Sequence, residues 1–149
     1  MAENSLTLRP YAGPADAPPL ADLWLDASLR AHPFLGAERL TAQRQEIAET
    51  YLPQADTWVA CEGPRPLGFI SLLEDFVAAL FVAPGAQGRG IGSRLLERAA
   101  EDRGALSLEV YARNTPALAF YRARGFCEVA RRPQDDLGLP FELVRLHRP

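Results

Sequence analysis

The chain has 149 residues, 48% hydrophobic and 23% charged, with 9% aromatic residues and a formal net charge of -3; that is enough apolar material to bury roughly 70% of the unfolded surface and too many aromatics for a disordered chain. The acidic balance argues against wrapping nucleic acid. The longest nearly apolar run, Phe76 to Pro84, is far short of the ~18 residues of a membrane span, and Met1 to Pro10, with Glu3 and no apolar stretch, is not expected to act as a secretory leader.

Ser5 to Arg9 alternates polar and apolar residues, which predicts a first strand ending at Pro10. Leu20, Leu23, Trp24, Ala27 and Ser28 follow helical spacing behind Pro18 and Pro19, which suit a first helical turn, and Pro33 ends that helix. Leu40, Arg44, Ile47 and Tyr51 outline a second helix, closed by Pro53. Thr57 to Cys61 and Leu67 to Leu73 predict a hairpin about the turn Gly63-Pro64-Arg65-Pro66. Phe76 to Val82 is almost wholly apolar, the pattern of a central strand covered on both faces.

Past Pro84 a glycine-rich turn leads into a helix with Ile91, Leu95, Leu96, Ala99 and Ala100 on one face. Leu106, Leu108 and Val110 then alternate with Ser107 and Glu109 in a strand. Asn114-Thr115-Pro116 opens a last helix with a polar cap and a proline in its first turn. It runs to Arg124 and stops at Gly125. Phe126 to Arg132 and Phe141 to Leu146 predict two final strands, and Asp135 to Phe141 between them fits either a hairpin turn or the rim of a pocket. The order is strand, two helices, three strands, helix, strand, helix, two strands: an α/β chain read as one domain over residues 1–149.

All sixteen basic residues are arginine, so a Walker phosphate loop and a Schiff-base mechanism both lack their lysine. Residues 1–83 hold five arginines against eleven acids, whereas residues 84–134 hold nine against five. A basic stretch inside an acidic chain suits a small polyanionic ligand, although scattered solvated arginines fit the numbers as well. Cys61 and Cys127 stand apart in strand-like stretches with no CxxC and no second metal-type ligand. They are expected as buried reduced thiols of a cytosolic protein without a metal.

The most informative stretch is Val82-Ala83-Pro84-Gly85-Ala86-Gln87-Gly88-Arg89-Gly90-Ile91-Gly92-Ser93. Three glycines at alternate positions join a strand to an amphipathic helix. Without a Cβ the backbone N–H groups can approach an anion closely, and the helix start adds unpaired donors and about half a positive charge. Together these make a phosphate cradle, with Arg89 and Arg94 as possible supplements. A dinucleotide fold competes through Gly88, Gly90 and Ser93. It fits poorly, because three residues intervene before the first glycine and too little chain follows for a doubly wound sheet.

This segment resembles motif A of the GNAT superfamily, the Gcn5-related N-acetyltransferases, through Gln87, Gly90 and Gly92. Leu108 to Asn114 followed by Ala119 to Phe126 resembles motif B of the same superfamily, and residues 56–146 carry the match. The resemblance implies a GNAT-like acyl-CoA N-acyltransferase fold, a mixed α+β sheet of order β-α-α-β-β-β-α-β-α-β-β whose central parallel strands splay apart to admit acetyl-CoA. It implies a bulge near Leu80, with Leu80, Phe81 and Val82 along the pantetheine arm. The diphosphate rests on the amides of Gln87, Gly88, Arg89, Gly90, Ile91, Gly92 and Ser93. Asn114 bonds the arm or a water, and Phe120 packs beside it. As residues alone, Asn114 fits a helix cap equally well and Phe120 fits plain core.

The implied reaction is direct attack of a neutral amine on the thioester, without a covalent enzyme intermediate. In it the Val82 amide receives the carbonyl oxygen, Tyr121 protonates the leaving sulfur and Glu109 serves as base; a solvated or arginine-paired Glu109 and a core Tyr121 remain open. His32, Phe34 and Glu74 are weaker acceptor-side candidates. The acceptor is a primary amine (an amino acid, a peptide or protein N-terminus, a lysine or a small amine), with no nucleic acid or membrane partner and with a monomer or homodimer expected. A non-catalytic acyl-CoA-binding regulatory module fits both motifs as well.

Overall fold

A computed structural model of the chain describes residues 6–149. Seven strands are present among them: β1 (Leu6–Pro10), β2 (Asp56–Glu62), β3 (Arg65–Leu73), β4 (Phe76–Val82), β5 (Leu106–Tyr111), β6 (Cys127–Arg132) and β7 (Leu143–Arg148). The principal helices are α1 (Ala17–Ala31), α2 (Ala37–Glu46), α3 (Ile91–Arg103) and α4 (Thr115–Ala123). Their order along the chain is the predicted one. Ser5, placed in the first strand by its pattern, lies outside the described residues.

The strands form one sheet in the order β1-β2-β3-β4-β5-β7-β6. Every adjacent pair is antiparallel except β4 and β5, which run parallel. The last strand inserts between β5 and β6, so β6 becomes an edge. That explains Cys127, which is exposed rather than buried, because β6 has a free side and solvent-facing residues along most of its length. Cys61 is buried as expected.

Each face of the sheet carries one helical layer. Ile91, Leu95, Leu96 and Ala99 of α3, with Leu118 and Tyr121 of α4, pack on Ile70, Leu72, Leu106, Leu108 and Val110. Leu20, Leu23 and Trp24 of α1, with Leu40 of α2, pack on Val59, Cys61 and Phe69 of the opposite face. These are the apolar positions that the 3.6-residue and two-residue periods pick out. Burying them removes apolar surface from water at about 25 cal/mol per Å².

Two local features bear on the site. The helix after α2 continues as a π-helical turn, Ile47–Tyr51, just before Pro53, which cannot donate to the Glu49 carbonyl. In β4 only Val77 is buried and the other residues are partly or fully open. The prediction of a strand covered on both faces therefore fails at β4, and β3 is the strand enclosed on both sides. No helix among the described residues is long and apolar enough to cross a membrane.

Candidate active site

β3 and β4 pair along their length, but β4 and β5 share one register pair, Phe76↔Ser107. Opposite Ser71 and Leu72 the β4 strand carries an extra residue, Ala78, two positions before Leu80, near which the bulge was expected. A bulge adds twist and bends its strand. Past it β4 and β5 diverge around a groove of about 960 Å³ that reaches both helical layers. Leu80, Phe81 and Val82 line it, so the apolar run of β4 is a groove wall. Unpaired strand edges are ready partners for an extended ligand.

At one end lies the glycine turn. Gly88 and Gly90 have φ of +83° and +78°, and Gly90 is the residue before the first turn of α3. A side chain in that left-handed region is strained. Gln87 donates through Nε2 to the Val82 carbonyl at 3.3 Å and so braces the turn against β4. A Cβ on Gly92 would stand 3.3 Å from the Phe120 ring; the glycine there allows α3 and α4 to close together. Gln87, Gly88, Gly90, Ile91, Gly92, Ser93 and Phe120 all line the groove. Arg89 does not, because its guanidinium turns to Glu62 at 2.9 Å.

Sequence reasoning assigned no role to Arg124, yet it lines this end. Its Nε donates to Ser93 Oγ at 2.6 Å, its Nη1 donates to the Phe120 carbonyl at 2.9 Å, and it stacks 3.8 Å over the Phe120 ring. It has no carboxylate partner among the described residues. An uncompensated guanidinium beside the positive end of α3 matches a diphosphate in charge.

α4 presents the next residues. Asn114 caps the helix, its Oδ1 accepting from Ala117 N at 3.3 Å, and its Nδ2 lies 3.3 Å from His32 Nε2. Cap and groove residue are thus one side chain. Tyr121 is 8% exposed, faces the groove and has no hydrogen-bond partner for its hydroxyl among the described residues. Burial pushes its phenol above the ordinary value, because a phenolate would lose its hydration.

The other end is closed by three segments of the chain. His32 follows α1, Tyr111 ends β5, and Asp135, Asp136 and Leu137 come from the β6–β7 connection; all five line the groove. The His32 and Tyr111 rings meet at 5.0 Å, and Phe34 stacks behind them on Tyr111 at 5.3 Å and on Phe141 at 4.9 Å. Phe34 therefore backs the wall without lining it. Burial pulls the His32 imidazole down to about 4, so it is neutral at pH 7. Glu109 lines the groove, with both carboxylate oxygens accepting from Arg132 at 2.9 and 2.8 Å. Glu74 does not belong here. It sits in the β3–β4 turn beside the joined ends of β4 and β5, with φ +57°, and its carbonyl accepts from Arg103.

Comparison with known proteins agrees with this arrangement. The Acetyltransferase (GNAT) family profile matches residues 19–126. The peptidyl-lysine N-acetyltransferase YiaC of Escherichia coli K12 is 39% identical over 127 residues, covering 85% of this chain and 87% of YiaC. The solution structure of apo YjaB from Escherichia coli superposes with a TM-score of 0.85 at 32% identity, covering 95% of this chain and 96% of that one. The structure of yncA from Salmonella typhimurium, a putative acetyltransferase solved with acetyl-CoA, shares the fold at a TM-score of 0.68 and 20% identity, covering 97% and 93% of the two chains. The chain belongs to the GNAT family and is an acetyl-CoA-dependent N-acetyltransferase, moving an acetyl group to an amine.

Proposed function

We propose that this enzyme acetylates the side-chain amine of a lysine within a peptide or protein. The observation that carries the proposal is the groove itself, continuous from the glycine turn on the α3–α4 side to the His32, Tyr111 and Asp135 wall on the α1–α2 side. Two substrates can meet in it from opposite faces of one sheet. The likeness to YiaC, named a peptidyl-lysine N-acetyltransferase, supports lysine as the acceptor.

In this reading acetyl-CoA supplies an activated thioester, and its diphosphate is held by the backbone amides from Gln87 to Ser93 and by Arg124. Leu80 and Val82 pair with the extended arm through their main chain, the Phe81 main chain being turned to Phe69 of β3, and Phe120 packs beside it. The Val82 amide points a donor at the carbonyl oxygen as negative charge develops there. Tyr121, kept protonated by its surroundings, gives its proton to the departing sulfur.

The lysine must first lose a proton, at a cost of about 4–5 kcal/mol at pH 7. Each Glu109 oxygen uses one lone pair on Arg132 and keeps another. Through a groove water it takes that proton. A thiol-release assay with acetyl-CoA and a panel of lysine peptides, free amino acids and small amines tests the proposal. Release driven by lysine peptides, with the acetyl group mapped to the lysine side chain by mass spectrometry, is the expected result. Release with small amines only would reject the peptide acceptor.

A further inference from the structure

Asp135 lies in the β6–β7 connection and is 6% exposed, yet it lines the acceptor end of the groove. Its Oδ1 accepts from Leu137 N at 3.0 Å and Leu139 N at 2.9 Å; its Oδ2 accepts from the Tyr111 hydroxyl at 2.9 Å. Oδ1 is therefore saturated and Oδ2 keeps one lone pair. All three donors are neutral. No cation pairs with Asp135 among the described residues. Its neighbours differ: Glu109 and Asp136 both hold Arg132, and His32 is uncharged at neutral pH.

A buried carboxylate loses hydration worth several kcal/mol per ion, and neutral hydrogen bonds return part of it. The field that remains reaches the groove that Asp135 lines, opposed in part by the nearby Arg132 guanidinium, which Glu109 and Asp136 hold. The Tyr111 phenol registers that field: burial first, and then the hydrogen bond and the charge of Asp135, push it above its ordinary value.

We propose that Asp135 is the specificity-determining residue for the acceptor, receiving the lysine ammonium at Oδ2 and so selecting a cationic amine over a neutral side chain of the same length. The inference rests on the lysine-acceptor reading above and adds the residue that recognises the charge. The sequence reading gave Glu109 the role of base and assigned no residue to the ammonium. Asp135 binds the cation, and Glu109 takes the proton.

The test is equilibrium binding in the presence of CoA, which lacks an acetyl group and permits no turnover. A lysine peptide is compared with the same peptide carrying norleucine, for the unmodified enzyme and for Asp135→Asn. Asparagine keeps an oxygen for the two backbone donors and removes the charge. The unmodified enzyme is expected to favour lysine by about tenfold or more, as a charge-assisted bond requires. Asp135→Asn is expected to lose that preference while binding the norleucine peptide unchanged. A preference that survives in Asp135→Asn overturns the proposal and leaves Asp135 a strut of the loop.

A second measurement needs no variant. The Asp135 carboxyl carbon resonance of the unmodified enzyme should move on adding the lysine peptide and stay still with norleucine; an unmoved resonance with both overturns the proposal. An enzyme that acetylates lysine peptides but shows no preference over norleucine sinks this inference and spares the acceptor assignment. An enzyme that binds lysine selectively but acetylates only small amines sinks that assignment instead.

Discussion

Tyr121 shows how one side chain is fitted to a task by its surroundings. It stacks edge-on to Phe120 and Phe126 at 5.1 and 5.4 Å, which fixes the ring, and burial holds the phenol protonated. In its proposed role of proton donor to the leaving thiolate it would be worth roughly 10²–10⁴ in rate. Tyr121→Phe keeps the ring packing, so kcat is expected to fall by about a hundredfold or more with little change in acetyl-CoA affinity, read from steady-state kinetics and calorimetry. Gly92 makes a complementary prediction. Gly92→Ala adds a methyl 3.3 Å from the Phe120 ring, and that ring also carries the Arg124 guanidinium. The variant should keep its melting temperature, since alanine is the better helix residue, while KM for acetyl-CoA rises several-fold.

At the scale of elements, the start of α4 ties the two sides of the groove together. Asn114 caps α4 and reaches His32 at the end of α1. Asn114→Ala should lower the unfolding free energy by about 1 kcal/mol through the lost cap, whereas Asn114→Asp should restore most of that stability in urea titrations. The divergence of β4 and β5 is likewise made by local means, the extra residue Ala78 and the lone pairing Phe76↔Ser107. The glycine turn and the helix entry were both legible in the residues, because each is built within a few positions of the chain. The bulge was legible only through the family resemblance and sits two residues before Leu80, near which that resemblance put it. An apolar run reads the same whether it faces a protein core or a ligand groove, which is why β4 was taken as enclosed.

Across the whole molecule, the neutral His32 couples folding to pH. Its folded pKa of about 4 lies below the ordinary imidazole value of 6.5, so between those values the unfolded chain binds more protons than the folded one. Stability on this account is full above pH 6.5 and is lost as the pH falls towards 4, by up to about 3 kcal/mol before solvent screening reduces it. Urea unfolding at a series of pH values should show a smaller decline across that window for His32→Gln than for the unmodified protein. Equal declines would remove His32 as the source.

The residues by themselves determined the element order, the glycine turn and the apolar faces of the helices, because these follow from short-range periodicity and backbone sterics. Family resemblance added the chemistry to that frame. The tertiary structure decided which charges are spent and which are free: Arg89 turns to Glu62, Arg132 holds Glu109 and Asp136, and Arg124 and Asp135 are left facing the groove. Those pairings join residues far apart in the chain, and β7 enters the sheet between β5 and β6, so the distances that set electrostatic energy exist only once the sheet has closed.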